Sequence, residues 1–395
     1  MTELLDAAAA VAPDVIELRR AIHREPELGL QLPKTQEKVL EALTGLGLDI
    51  TPGTSTTSIV ADLDGGEGPT ILLRADMDAL PLTEESGESF TSGIEGAMHA
   101  CGHDGHTAML LGAAKILAGR RGDLRGRVRF MFQPGEEGFH GAEYMIEEGV
   151  LNGVDRCYAL HCTTNLPAGV IAGRAGPMLA SADEFQITFT GRGGHGSAPH
   201  MTVDPIPAAA AMVPAISMMV ARNINTFNPA VVSVTHIESG TTTNITPETA
   251  FLEGTIRTFD EETRDLIHQR LEQITQSVAE SHQCSCNTQL TRGYPPTINH
   301  ASEIADMAAA ADRALGTGHY LEMPTPVMAA EDFSYLLNQR PGAMASVGVA
   351  PADVDDPANA APLHSNRMRL NEDGLAAGVA VHVGVALNNL GDGAD

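Results

Sequence analysis

Apolar residues change period several times along this chain, and the changes divide it. Residues 13–23 and 34–46 carry apolar positions at helical spacing, with Val39, Leu40, Leu43 and Leu46 on one face of the second. Short β-branched or apolar runs follow at Ser58 to Leu63 and at Thr70 to Arg74, the latter leading into Ala75-Asp-Met-Asp78. Thr107 to Leu117 reads as a buried helix, Arg127 to Phe132 as an apolar strand, and Cys157 to His161 as another short strand. Alternation of this kind predicts an α/β fold with a mixed, mostly parallel sheet. In such sheets ligands bind outside the carboxyl ends of the strands. Polar residues gather at those ends here: Asp76 and Asp78, Glu136 and Glu137, then His161.

The middle of the chain has a different period. Asp183 to Thr190, Pro229 to Ile237 and Phe251 to Phe259 alternate like strands with one solvated face. Helical stretches at 205–222 and 261–281 separate them, the second carrying Leu266, Ile267, Leu271, Ile274 and Val278. Strand–helix–strand–strand–helix–strand is the order of a small, ferredoxin-like α+β domain. After Tyr294-Pro-Pro the α/β character returns, with helices near 301–315 and 372–389. The expected organisation is therefore a discontinuous domain, 1–183 and 296–395, interrupted by a second domain at 184–295.

Length agrees, since 395 residues exceed one ordinary core. Charge narrows the partners. With 24 Lys+Arg against 51 Asp+Glu the net charge is −27, which argues against nucleic acid and against anionic lipid. The most apolar stretch, Ile206 to Val220, is too short to span a bilayer and holds Pro207 and Pro214. No basic signal-peptide region precedes an apolar one at the N-terminus. Five cysteines far apart do not form a disulfide framework, so a reduced cytoplasm is the expected setting.

The densest chemistry lies in Met98-His-Ala-Cys-Gly-His-Asp-Gly-His106. Cys101 and His103, two apart in a glycine-rich loop, can turn thiolate and imidazole toward one borderline or soft cation. The plainer alternative is a polar loop capping a helix that begins near Gly105, with Asp104 at its N-terminus. Gln133-Pro-Gly-Glu-Glu-Gly138 sets two carboxylates side by side after a strand. A cation would relieve their repulsion, one carboxylate ligating it while the other serves as general base. A solvated turn would look the same. His161 and His364, each ordinary alone, bring the donors to five, a number that suits two ions better than one tetrahedral ion. Gly191-Arg-Gly-Gly-His-Gly196 matches a dinucleotide fingerprint, but Pro199, Pro205 and Pro207 follow where a phosphate-binding helix should start.

Five segments in order make a resemblance specific: Leu73-Arg-Ala-Asp-Met-Asp-Ala-Leu-Pro81, the 98–106 loop, Gln133-Pro-Gly-Glu-Glu-Gly138, Gly193-Gly-His-Gly-Ser-Ala-Pro-His200 and Ala330-Glu-Asp-Phe333. From about Leu18 to Leu387 the chain resembles the hippurate hydrolase and indole-acetyl-amino-acid hydrolase branch of the aminoacylase/carboxypeptidase metallopeptidases. The resemblance implies a phosphorylase/hydrolase-like catalytic domain holding two divalent ions, manganese first, with zinc, nickel or cobalt possible. It implies Cys101, His103, Glu137, His161 and His364 as ligands and Glu136 as general base. It further implies a lid and dimerisation domain whose His195 reaches a neighbouring subunit's site and holds the oxyanion, in a homodimer or a tetramer. Asn244 and Arg257 match positions that hold the substrate carboxylate, and His200 joins this substrate-binding set. His140 and Thr241-Thr-Thr243 depart from the smaller or more apolar residues of the branch.

The expected activity is hydrolysis of N-acyl-L-amino acids to a carboxylic acid and an amino acid. A dipeptidase or aminopeptidase on the same scaffold is the alternative, and it would need an acidic anchor for a free amine. A catalytically silent binding protein would lack a ligand or Glu136, and neither is missing.

Overall fold

The computed structural model describes residues 2–391; residue 1 and residues 392–395, the outer ends of the first expected domain, lie outside the described residues. The chain divides into two compact units. The first comprises the chain up to Gly176, Asn299–Thr325 and the chain from Tyr335 onward; the second comprises Pro177–Ile298 and Pro326–Ser334.

The first unit is built on an eight-stranded mixed sheet. Its order is Asp49–Pro52, Ile59–Asp64, Arg127–Gln133, Thr70–Asp76, Arg156–Thr163, Gly342–Gly348, Ile171–Gly173, Tyr320–Glu322. The four strands from Arg127–Gln133 to Gly342–Gly348 run parallel, and antiparallel pairs flank them on both sides. A parallel centre must be covered on both faces, and Thr70–Asp76 is accordingly buried from Ile71 onward. Helices Glu3–His23, His103–Gly119, Ala301–Leu315 and Leu375–Leu390 pack on one another and on the sheet. His103–Gly119 is apolar almost all round, the composition of a helix enclosed by neighbours. At Gly112 a Cβ would come within 2.7 Å of Val15 and 2.9 Å of Val379, so glycine sets how closely three helices approach.

In this unit a helix start and a strand depart from the sequence reading. The buried helix starts at His103, four residues earlier than its apolar pattern, because Gly102 at φ +87° turns the chain into it. The strand Gly342–Gly348 carried no strand signal: Gly-Ala-Met-Ala-Ser-Val-Gly lacks β-branched alternation, and its place beside Arg156–Thr163 comes from burial on both faces.

The second unit holds a four-stranded antiparallel sheet ordered Ala230–Ser239, Thr249–Thr258, Asp183–Thr190, Ser285–Thr291. Helices Ile206–Asn223 and Glu261–Ser281 cover one face, where Phe185, Ile187 and Phe189 meet Met212, Ile216, Ile267 and Leu271. Asp183–Thr190 alternates buried and accessible as a one-sided sheet requires. The helix Ile206–Asn223 runs three residues past Val220. At 18 residues it is long and apolar enough, by length and composition, to cross a membrane, contrary to the sequence reading. Its Ala208, Ala209, Met212, Ile216 and Met219 are part of this unit's core.

Candidate metal centre

The parallel strands deliver the site at their carboxyl ends. Thr70–Asp76 continues into Met77 and Asp78, Arg127–Gln133 into the Pro134–Gly138 turn, and Arg156–Thr163 carries His161 near its end. Asp76 and Gln133 are register partners, so the two loops leave the sheet side by side. The fourth component is the loop ending in Cys101 and Gly102. Gly102 is required there, because a Cβ would also lie 3.2 Å from that of Cys162. His103 opens the helix, and its Nδ1 donates to the Asp78 carbonyl at 2.9 Å, which turns the lone pair of Nε2 outward.

Of the ten residues singled out in the sequence, six converge in this unit. Donor atoms of Cys101, His103 and His161 lie within 4.8 Å of one another. So do those of Cys101, Glu137 and His364, and those of His103, Glu136 and Glu137. Cys101 Sγ stands 3.5 Å from His161 Nε2. Glu137 Oε1 lies 3.3 Å from His364 Nε2 and 3.9 Å from His103 Nε2. His364 takes φ +65°, a left-handed backbone uncommon for a non-glycine residue, and its N–H donates to the Ala100 carbonyl at 2.8 Å.

The electrostatics suit a cation. Burial pushes the Cys101 thiol up, but the charges of His103 and His161 outweigh it and bring the group down to about 6. Hydrogen bonding to Cys101 and Glu137 raises His364 to about 10. Burial acts to raise Glu137, yet His364 and His103 hold its carboxyl below the ordinary value. His103 Nε2 is buried without a hydrogen-bond partner and faces Glu137 Oε1 at 3.9 Å. Donors gathered this closely in a buried space are costly unless a proton or a cation lies among them. Thiolate, imidazole and carboxylate donors therefore fit one or more divalent ions here.

The remaining four residues belong to the second unit. His195 pairs with Ile245 in a short two-stranded antiparallel ladder, and Gly196 N–H donates to the Asn244 carbonyl at 2.9 Å, so His195 and Asn244 lie side by side on neighbouring strands. His200 lies on the exposed turn Pro199–Met201. Arg257 stands opposite Val231 on the sheet; burial lowers its pKa, against the pull of Asp183 and Glu184. The turn carrying His200 follows directly, with Ala198 N–H donating to the His195 carbonyl at 2.8 Å, whereas Arg257 belongs to the separate four-stranded sheet.

Several buried groups beside the loop make contacts that the sequence reading did not assign. Asp78 accepts the backbone N–H of Glu136 through Oδ1 at 2.9 Å and that of Glu137 through Oδ2 at 3.0 Å. Asp104, in the helix's first turn, accepts from Arg19 Nε and pairs with His23 Nδ1, each at 2.7 Å. His23 Nε2 lies 3.2 Å from Glu84, and Arg19 also reaches Glu372 at 3.0 Å. The available signal for Asp78 was the Asp-x-Asp spacing after an apolar strand.

With this geometry in hand, known proteins are informative. Residues 72–388 match the model of peptidase family M20/M25/M40, most of the chain. The chain belongs to peptidase family M20/M25/M40. As a family member it is a hydrolase of amide bonds. It is 39% identical over 378 residues to a thermostable carboxypeptidase of Saccharolobus solfataricus, with 94% of each chain covered. It is 44% identical over 293 residues to an N-acyl-L-amino acid amidohydrolase of Geobacillus stearothermophilus, covering 73% of this chain and 79% of that one. Among solved structures it resembles a Bacillus subtilis dinuclear metal binding peptidase of the M20 family. That likeness has a TM-score of 0.81 at 31% identity and covers 95% of this chain and 98% of the other.

Proposed function

We propose that this family member hydrolyses the amide bond of N-acyl-L-amino acids, and that it does so with two divalent ions per subunit. The observation that carries the reading is the pair of overlapping donor triads that share Cys101, with Glu136 beside them. Cys101, His103, Glu137, His161 and His364 would hold the ions. Bound there, divalent ions supply Lewis-acid polarisation of the scissile carbonyl and a more acidic water. Manganese is the proposed resident, with zinc, nickel and cobalt as competitors that a thiolate donor admits.

Glu136 is the proposed general base. It is 6% exposed, held by its backbone to Asp78, and adjacent in sequence to a ligand carboxylate. It takes the proton of the attacking water and returns it to the leaving amine. His195 is the proposed oxyanion donor. The backbone N–H of Ser197 donates to His195 Nδ1 at 3.1 Å, so the neutral ring carries its proton on Nε2, ready to donate. Asn244, Arg257 and His200 are the proposed substrate-binding groups, Arg257 offering a planar fork to a carboxylate.

The second unit is the proposed ferredoxin-like lid and dimerisation domain of a homodimer, with His195 acting in the partner's site and a tetramer as a higher form. Its strand Ala230–Ser239 is an edge of the sheet, and Met218 and Phe227 are 64% and 89% exposed. Open edges and exposed apolar side chains are what a self-association surface offers. Among the described residues all five cysteines are free, which fits the proposed cytoplasmic setting.

The test is a panel of benzoyl-, acetyl- and indoleacetyl-amino acids beside matching dipeptides, on protein reconstituted with manganese. Turnover of the acyl substrates above the dipeptides supports the reading. The reverse order would assign a metallo-dipeptidase or aminopeptidase instead.

A further inference from the structure

Buried Asp76, His103 and His106 also bring donor atoms within 4.8 Å of one another, so His106 is itself a candidate ligand. Its hydrogen bonds argue otherwise. His106 is 1% exposed in the first turn of His103–Gly119. Its Nε2 accepts the backbone N–H of Cys162 at 2.7 Å, which places the ring proton on Nδ1. Nδ1 in turn donates to Asp76 Oδ1 at 2.6 Å. Both ring nitrogens are committed, and no lone pair remains for a cation. Asp76 is committed too: its Oδ2 accepts from Arg74 Nη1 at 2.6 Å, and Arg74 Nε donates to Gln133 at 2.9 Å. The buried carboxylate already has its counter-charge.

On the other side of Cys162 the order continues. The Cys162 carbonyl accepts Nδ1–H of His161 at 2.7 Å, which fixes that ring's tautomer and directs the lone pair of Nε2 toward Cys101. Cys162 is thus gripped at its N–H by His106 and at its carbonyl by His161. The two imidazoles meet edge to face with centroids 4.5 Å apart.

We propose that His106 is a positioning residue: braced by Asp76 and Arg74, it holds the backbone at Cys162 and thereby aims His161 at the metal centre, without being a ligand. The inference rests on the metal reading above. Groups that orient a ligating histidine commonly govern metal affinity without touching the ion.

The experiment uses full-length wild type, His106→Ala, His106→Gln and His161→Ala, stripped with chelator and reloaded with cobalt(II). Cobalt stoichiometry, affinity by chelator competition and the thiolate-to-cobalt absorption band from Cys101 are read. A glutamine amide can donate toward Asp76 and accept from Cys162, whereas alanine can do neither. The expected result is full stoichiometry and near-wild-type affinity in His106→Gln. In His106→Ala one ion should bind about 10–100-fold more weakly while the thiolate band persists. Wild-type affinity for both ions in His106→Ala would overturn the proposal. So would loss of an ion in His106→Gln as complete as in His161→Ala, since that marks a ligand. If His106→Ala fails to fold, the comparison of His106→Gln with His161→Ala decides alone. Wild type that takes up no cobalt would instead remove the metal reading itself, and this inference with it.

Discussion

Asp78 Oδ1 accepts the backbone N–H of Glu136 at 2.9 Å. Its other carboxylate oxygen fixes Glu137 and its backbone carbonyl fixes His103, so one residue sets the spacing between base and ligands. Asp78→Ala should leave two backbone N–H groups without their acceptor and let the Glu136–Glu137 turn drift. Small displacements of a reacting group cost about 10²-fold. The expected result is a kcat lower by about that factor with KM changed only a few-fold, checked by steady-state kinetics alongside metal analysis. Unchanged kcat would mean that Gly135 and Gly141, joined at 2.9 Å, hold the turn unaided.

Glu136→Gln separates the base from the ligands. The amide preserves shape and the contact of its backbone with Asp78, but it takes up no proton. Metal content should match wild type while turnover falls by about 10²–10⁴-fold, the range general-base catalysis contributes. Elemental analysis and turnover on one preparation check both halves. Near-normal turnover would remove Glu136 from the mechanism.

Cys101 belongs to two of the donor triads, so its loss should weaken the site as a whole. Cys101→Ala should lower affinity beyond the roughly 10–100-fold that losing an outer partner costs. Metal retained after gel filtration against a weak chelator is the measure. Full retention in the variant would show that the imidazole and carboxylate donors suffice.

Local chemistry was legible in the sequence, and contacts between distant segments were not. Cys101, His103, Glu136 and Glu137 announced themselves because ligand types recur at short spacing in glycine-rich loops. Asp78 was visible at a strand end but its role was not, because the amides it holds come 58 and 59 residues later and amide acceptors leave no residue pattern. His106 was visible as a histidine of the motif, but only three dimensions separate it from the donors, through bonds to Asp76 and Cys162. The alternating strands of the second unit were readable because one face is wet, while Gly342–Gly348 has no polar face to set a period.

His23 should give the fold a pH dependence of its own. Burial acts to lower its pKa, but Asp104 by charge and hydrogen bond, with Glu84, outweighs this and the opposing charge of Arg19, raising it to about 9. Aromatic Phe90 packs edge-on at 5.5 Å and His99 lies 6.1 Å away. A pKa higher in the folded state than the ordinary 6.5 means that the folded protein holds the proton more tightly. The resulting stability is fully present below pH 6.5 and is lost as pH rises through 9. A shift of this size corresponds to on the order of 3 kcal/mol across that window. Wild type should therefore melt at progressively lower temperature between pH 6.5 and 9. His23→Gln, less stable at pH 6.5, should show a flatter profile and approach wild type near pH 9.5. Thermal denaturation of both proteins across this range is the measurement; parallel profiles would show that His23 is neutral in the folded state and that Arg19 alone balances Asp104.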